Sequence, residues 1–174
     1  MQREITTMTD LLTPDGKLAV CGWARRDLFR YDASLVARPW RLKEWDFYQV
    51  SDGKVMVQIN FFNISVASAA TAAVVDLTTG ERADHADIRL FTKNRFRLPE
   101  VSDRPNTFAY ESGKTKLSFV TGEDSRRIRF SGKCRAGRIE AELTLSFRPD
   151  DENITIVTPF KGMPDRFFLT TKHN

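Results

Sequence analysis

Two carboxylates stand two residues apart in "RLKEWDFYQV": Glu44 and Asp46, with Trp45 between them and Phe47 and Tyr48 beyond. In an extended chain such residues share a face, about 6.5–7 Å apart. Two carboxylates that close, in a place short of water, raise the pKa of at least one of them through repulsion and desolvation. A carboxyl that keeps its proton near neutral pH can act as an acid or base, so Glu44 and Asp46 are the candidate catalytic residues. The aromatic residues Trp45, Phe47 and Phe61 are the candidate ligand-binding residues.

Period two leaves more than one arrangement of this segment open. In the simpler and expected one, Trp45 and Phe47 fill the interior while Glu44 and Asp46 face outward and pair with lysine or arginine. In the second, the acidic face, which also carries Leu42, Tyr48 and Val50, turns inward. In the third it faces outward but lies under a further barrel.

Other chemistries lack their residues. His85 in "ERADHAD" and His173 near the end have no serine, cysteine or ligand partner at a telling spacing, and both are expected at the surface. Cys21 and Cys134 stand in neither a CxxC nor a Cys/His pattern, which speaks against zinc; they read as free, mostly buried thiols. No GxGxxG or P-loop pattern occurs, so no cofactor and no metal is expected. Trp23 in "CGWARR" reads as a core or barrel-end residue with Arg25 or Arg26 stacked on it.

The elements that carry these residues are strands. In "RIEAELTLSF" (138–147), Ile139, Ala141, Leu143, Leu145 and Phe147 alternate with polar partners, and "KVMVQINFFNI" sets Val55, Val57, Ile59 and Phe61 on one face. Turn chemistry recurs at "SDGK", "TTGE", "ESGK", "TGEDS" and "SGKCRAGR", where Gly supplies the positive φ of tight hairpins. Successive strands usually pair in order, so the expectation is all-β: one antiparallel lipocalin-like barrel or strongly curved β-meander over residues 1–174. No stretch shows a convincing helical period.

The totals narrow the function classes. With 27 basic and 23 acidic residues spread along 174, the net charge of +4 is not concentrated as a nucleic-acid surface requires; the run Arg126-Arg127-Arg129 reads as a solvated strand face. No apolar run nears the roughly 20 residues of a membrane helix, and "MQREITTMTDLL" has no apolar leader, so a cytoplasmic protein without a membrane span is expected. The doublets Phe61-Phe62 and Phe167-Phe168 point to both faces of their strands. Strands apolar on both sides are covered on both sides. The cover would be a second barrel half, a second subunit or a local loop.

"MQREIT", "CGWARRDLFRYD", "RLKEWDFYQV", "VVDLTTGE" and the late "ITIVTPF" and "RFFLTTKHN" together resemble, in order and along essentially the whole chain, an uncharacterised bacterial domain-of-unknown-function family. Its members are similar to tandem lipocalin-like β-barrel proteins, the group that includes carotenoid 1,2-hydratase. The resemblance implies a lipocalin-like barrel that corresponds to the N-terminal half of a longer two-barrel protein. The family's "WGRG"-like segment finds no counterpart here, and no catalytic residue carries over. The sequence therefore supports three expectations. The first is a module binding an apolar or amphipathic small molecule. The second is half of a hydratase- or isomerase-like enzyme for a lipid or isoprenoid, and the third is a structural barrel that scaffolds another.

Overall fold

A computed structural model describes residues 3–148 and 150–173, except for the side chain of Pro164. The architecture is all-β. The strands are β1 (Thr9–Asp10), β2 (Gly22–Ala24), β3 (Phe29–Arg30), β4 (Glu44–Ser51), β5 (Val55–Asn63), β6 (Ala67–Asp76), β7 (Arg82–Leu90), β8 (Asn106–Glu111), β9 (Thr115–Thr121), β10 (Ser125–Cys134), β11 (Gly137–Ser146), β12 (Ile154–Phe160) and β13 (Met163–Lys172). Short 3-10 turns occur at Ala33–Leu35 and Pro39–Arg41.

The chain forms two compact units. The first comprises residues 1–39, 100–104 and 147–174. It contains the sheet β13-β12-β2 and the short parallel pair β1-β3. Its core is Ile5, Leu11, Leu12, Ala24, Phe29 and Val157. Gly22 is required here: its φ is +154°, and a Cβ would lie 2.2 Å from the Arg3 carbonyl oxygen. Beside it Trp23 is half-buried, and the Arg25 guanidinium lies 5.5 Å from its ring centroid. Between the two expected arginines, Arg25 is the one that stacks.

The second unit, residues 40–99 and 105–146, holds the site. It consists of two antiparallel meanders, β4-β5-β6-β7 and β11-β10-β9-β8. Both follow chain order, as short hairpins dictate. Asp52, Asp76 and Ser112 tie these hairpins by accepting backbone N–H groups, as in Asp52 Oδ1 from Val55 N at 2.7 Å. The sheets stay open instead of closing into one hydrogen-bonded barrel: β7 and β8 do not pair. The physical reason is the link between them. Phe91, Lys93 and Asn94 adopt positive φ, which ends the ladder, and Phe96 and Leu98 then pack on the core.

Inward-facing side chains of the two sheets meet in an aromatic core. Phe61 lies 4.5 Å from Phe108 and 5.4 Å from Tyr110 between centroids; Phe119 lies 4.9 Å from Tyr48. Ile59, Ile128, Phe130 and Leu117 complete it. Each of these side chains contributes about 1.5–3 kcal/mol when fully buried.

"SGKCRAGR" is only partly a turn. Ser131, Gly132 and Lys133 belong to β10, and the reversal is at Arg135-Ala136. Gly132 stands in the strand because the His85 ring lies where its side chain would be, 2.9 Å from an added Cβ.

Candidate functional site

Strand β4 turns the opposite way from the simpler arrangement. Trp45 and Phe47 are the outward face, 48% and 53% exposed, and Tyr48 faces in at 9%. Glu44, Asp46 and Val50, on the same face as Tyr48, are half-buried. Packing decides this. Register pairs Asp46 with Phe61, and Tyr48 with Ile59. Phe61 and Ile59 are fully buried, so their β4 neighbours on that face must be inward too. Phe61, read as a ligand-binding candidate, is 0% exposed in the aromatic core.

The two carboxylates are not a shared dyad; each has its own partners. The Arg97 Nε donates to both Glu44 oxygens at 2.9 Å, and Asn63 Nδ2 donates to Oε2 at 3.0 Å. Asn63 is fully buried and also accepts from Ser65 N at 3.0 Å, so Glu44 anchors the end of the sheet and the loop behind it. Asp46 accepts from the Tyr48 hydroxyl at 3.3 Å. Arg126 Nη1 in turn donates to the Tyr48 oxygen at 2.9 Å, and its Nε donates to Thr121 Oγ1 at 2.9 Å.

Burial is the main cause of the electrostatics here. Desolvation pushes the Asp46 carboxyl above the usual carboxylate range, against the pull of the Arg126 charge and the Tyr48 hydrogen bond. Glu44 is not among the causes, so the raised pKa does not come from the repulsion that the spacing suggests. Tyr48 is also pushed far up, first by burial and then by the nearby Asp46 charge, so its hydroxyl stays protonated. Together Asp46, Tyr48 and Arg126 form a half-buried carboxyl, a phenol and a 6%-exposed guanidinium.

Arg126 and Tyr48 were not singled out by motif, yet Arg126 leaves a signal. It is in phase with Ile128 and Phe130 in "SRRIRFSG", so alternation alone assigns it to the apolar face. Reading the arginine run as wholly solvated is corrected for this member; Arg127 and Arg129 do point outward and pair with Glu142.

Beyond the filled core, the inward face continues with aliphatic side chains that are only half-buried. Val50, Val57, Val74 and Ala83 form one cross-strand row. Ala141, Leu143 and Leu145 on β11 are half-buried as well. Leu145 lies directly across from Arg126, and Val50 follows Tyr48 by two residues.

His85, expected at the surface, is 6% exposed. Its Nδ1 donates to the Lys133 carbonyl at 2.5 Å, and its Nε2 meets Thr115 Oγ1 at 2.7 Å. The ring packs edge-on to Phe130 at 5.4 Å. It ties β7 to β9 and β10 of the facing sheet. Both cysteines are free, but Cys21 is exposed and only Cys134 is half-buried.

A family model for a domain of unknown function, DUF2804, matches residues 2–174. The chain belongs to this family. No curated protein and no solved structure matches it. Among the described residues, no helix is long and apolar enough to cross a membrane.

Proposed function

We propose that the chain is a lipocalin-like module that binds an apolar or amphipathic small molecule at the open end of its inward face. One observation carries this reading: the inward row Val50, Val57 and Val74, with Leu143 and Leu145, is only half-buried although it continues a fully buried core. Inward aliphatic side chains left in contact with water mark a wall that another apolar surface can cover. The centre itself is filled by Phe61, Phe108, Phe119 and Tyr110, so the ligand sits at the end and not among those rings. Arg126 and Tyr48 border the wall and fit a polar head group. A lipocalin-like kinship with tandem-barrel proteins and a cytoplasmic setting belong to this same proposal.

The test is native mass spectrometry of the purified chain, followed by titration with a fluorescent fatty acid. Binding is expected, and Leu143→Asp should weaken it at least about tenfold, since a buried charge without a partner is costly. A wild-type chain that neither co-purifies with nor binds such a molecule overturns the reading.

The raised pKa of Asp46 favours a second reading, in which the same wall holds a substrate and Asp46 donates or accepts its proton, as in a hydratase or isomerase. An ordinary Asp46 pKa by carboxyl NMR removes that reading and leaves the binding one standing.

A further inference from the structure

The outward face of the sheet β4-β5-β6-β7 is unlike a solvated strand face. Register places Trp45, Phe62, Ala69 and Ile88 side by side across all four strands, with Phe47 two residues along β4 and Leu90 two along β7. Ile88 and Leu90 are 61% and 67% exposed, more than Trp45 or Phe47. Phe91 N donates to the Val66 carbonyl at 2.5 Å, which sets two further exposed apolar residues together where β7 ends. An antiparallel sheet that turns one face to water normally makes that face polar. Here, among the described residues, the charges that the four strands carry outward are Arg82 and Asp84, and these neutralise each other at 2.6 Å. Both sit at the far end of β7 from Leu90. A contiguous exposed apolar patch marks a contact surface.

Unbalanced charge is gathered at the end of the sheet where β4 starts and β7 stops. Register holds those two ends together: Glu44 pairs with Asn63, Asn63 with Ser68, and Ser68 with Arg89. Arg41 and Lys43 precede β4, Lys93 and Arg95 follow β7, and all four are exposed. Among the described residues, none of the four has a carboxylate partner. Glu44, Asp46 and Asp87 face inward, where Arg97 and the Tyr48 and Tyr110 hydroxyls hold them. The four cations need not converge on one point. A charged plane acts on every cation within a Debye length of it, about 8–10 Å.

Rings and aliphatic side chains bordered by lysine and arginine match the boundary of an anionic bilayer, where the apolar groups enter the headgroup layer and the cations meet lipid charge. A second copy docked through the same end would set these cations against their own equivalents.

We infer that this end of the outward face docks on an anionic lipid surface. Trp45, Ile88, Leu90 and Phe91 enter the headgroup boundary, and Arg41, Lys43, Lys93 and Arg95 meet the lipid charge. The face lies on the other side of the sheet from Val50, Val57 and Val74, so the inference does not rest on the small-molecule reading.

The experiment is flotation of the full chain with two kinds of vesicle: phosphatidylcholine alone, and two parts phosphatidylcholine to one part phosphatidylglycerol. Flotation with the phosphatidylglycerol vesicles is expected, weakening as salt rises. Leu90→Ser should lower the partition coefficient about fivefold or more through lost apolar burial. Lys43→Gln together with Lys93→Gln should lower it about tenfold or more. Val120→Ser, an exposed apolar position on the outward face of the other sheet, should leave it unchanged. Absence of flotation with phosphatidylglycerol vesicles overturns the inference, as does an equal loss from Val120→Ser and Leu90→Ser. A dimer in analytical ultracentrifugation that Leu90→Ser dissociates overturns it too, since the face would then belong to a second copy.

Discussion

Arg126 decides the character of the interior more than either carboxylate does. A guanidinium 6% exposed is tolerable only because Tyr48, Thr121 and the Asp46 charge surround it. Arg126→Met removes the charge that pulls the Asp46 pKa down, so that pKa should rise further, as read by carboxyl NMR. The same variant leaves the Tyr48 and Thr121 oxygens without their buried donor and should lose about 1–3 kcal/mol of stability at neutral pH in urea. The sign of the pH dependence follows from Asp46 itself. Its folded pKa lies above its unfolded value, so its contribution to stability is fully present below the ordinary carboxylate pKa. That contribution is lost as pH rises through the raised one. Asp46→Asn should flatten this part of the profile of urea midpoint against pH. At Gly132 the relevant quantity is space. Gly132→Ala should cost about 1–3 kcal/mol by overpacking against the His85 ring. A cycle with His85→Ala should show strong coupling between the two, since one contact carries both effects.

At the scale of the element, β4 and β5 show what burial means for one aromatic and not another. Phe61→Ala empties a site bordered by Phe108, Tyr110 and Phe96 and should cost about 3–5 kcal/mol in urea unfolding. Trp45→Ser and Phe47→Ser lie on the opposite face, about half exposed, and should each change stability by no more than about 0.5–1 kcal/mol. If the β4 face were reversed, these magnitudes would exchange. The outer face also explains part of the doublet pattern: Phe62 is half-buried beside Trp45 and Ala69, its cross-strand neighbours.

Across the whole molecule, exposed charge contributes little to folding. Most ion pairs are exposed on both partners, as in Arg25–Glu152 and Arg138–Glu140; Glu44 at 11% side-chain exposure is the clear exception. Exposed pairs are worth about 0–1 kcal/mol each and are screened by salt. The melting temperature should therefore move by only about 2–4 °C between low and moderate salt, measured by circular dichroism. A larger fall would assign the exposed pairs a weight that their solvation does not allow.

Alternation and turn chemistry made the strands, their antiparallel order and the hairpins legible before any coordinates, because both are properties of consecutive residues. The same alternation separated Trp45 and Phe47 from Glu44 and Asp46. What it does not contain is direction: a period of two names two faces but not which one is inside. That choice came from Phe61 and Ile59 across the ladder, and ladder register is a contact between residues far apart in sequence. The burial of His85 depended likewise on a glycine 47 positions away, Gly132, leaving room for its ring. The open edge between β7 and β8 arose from the positive-φ link after Leu90, which carries no glycine to announce it. Local rules therefore determined the elements of this protein. Tertiary packing alone decided which acid lost its water and which arginine was enclosed.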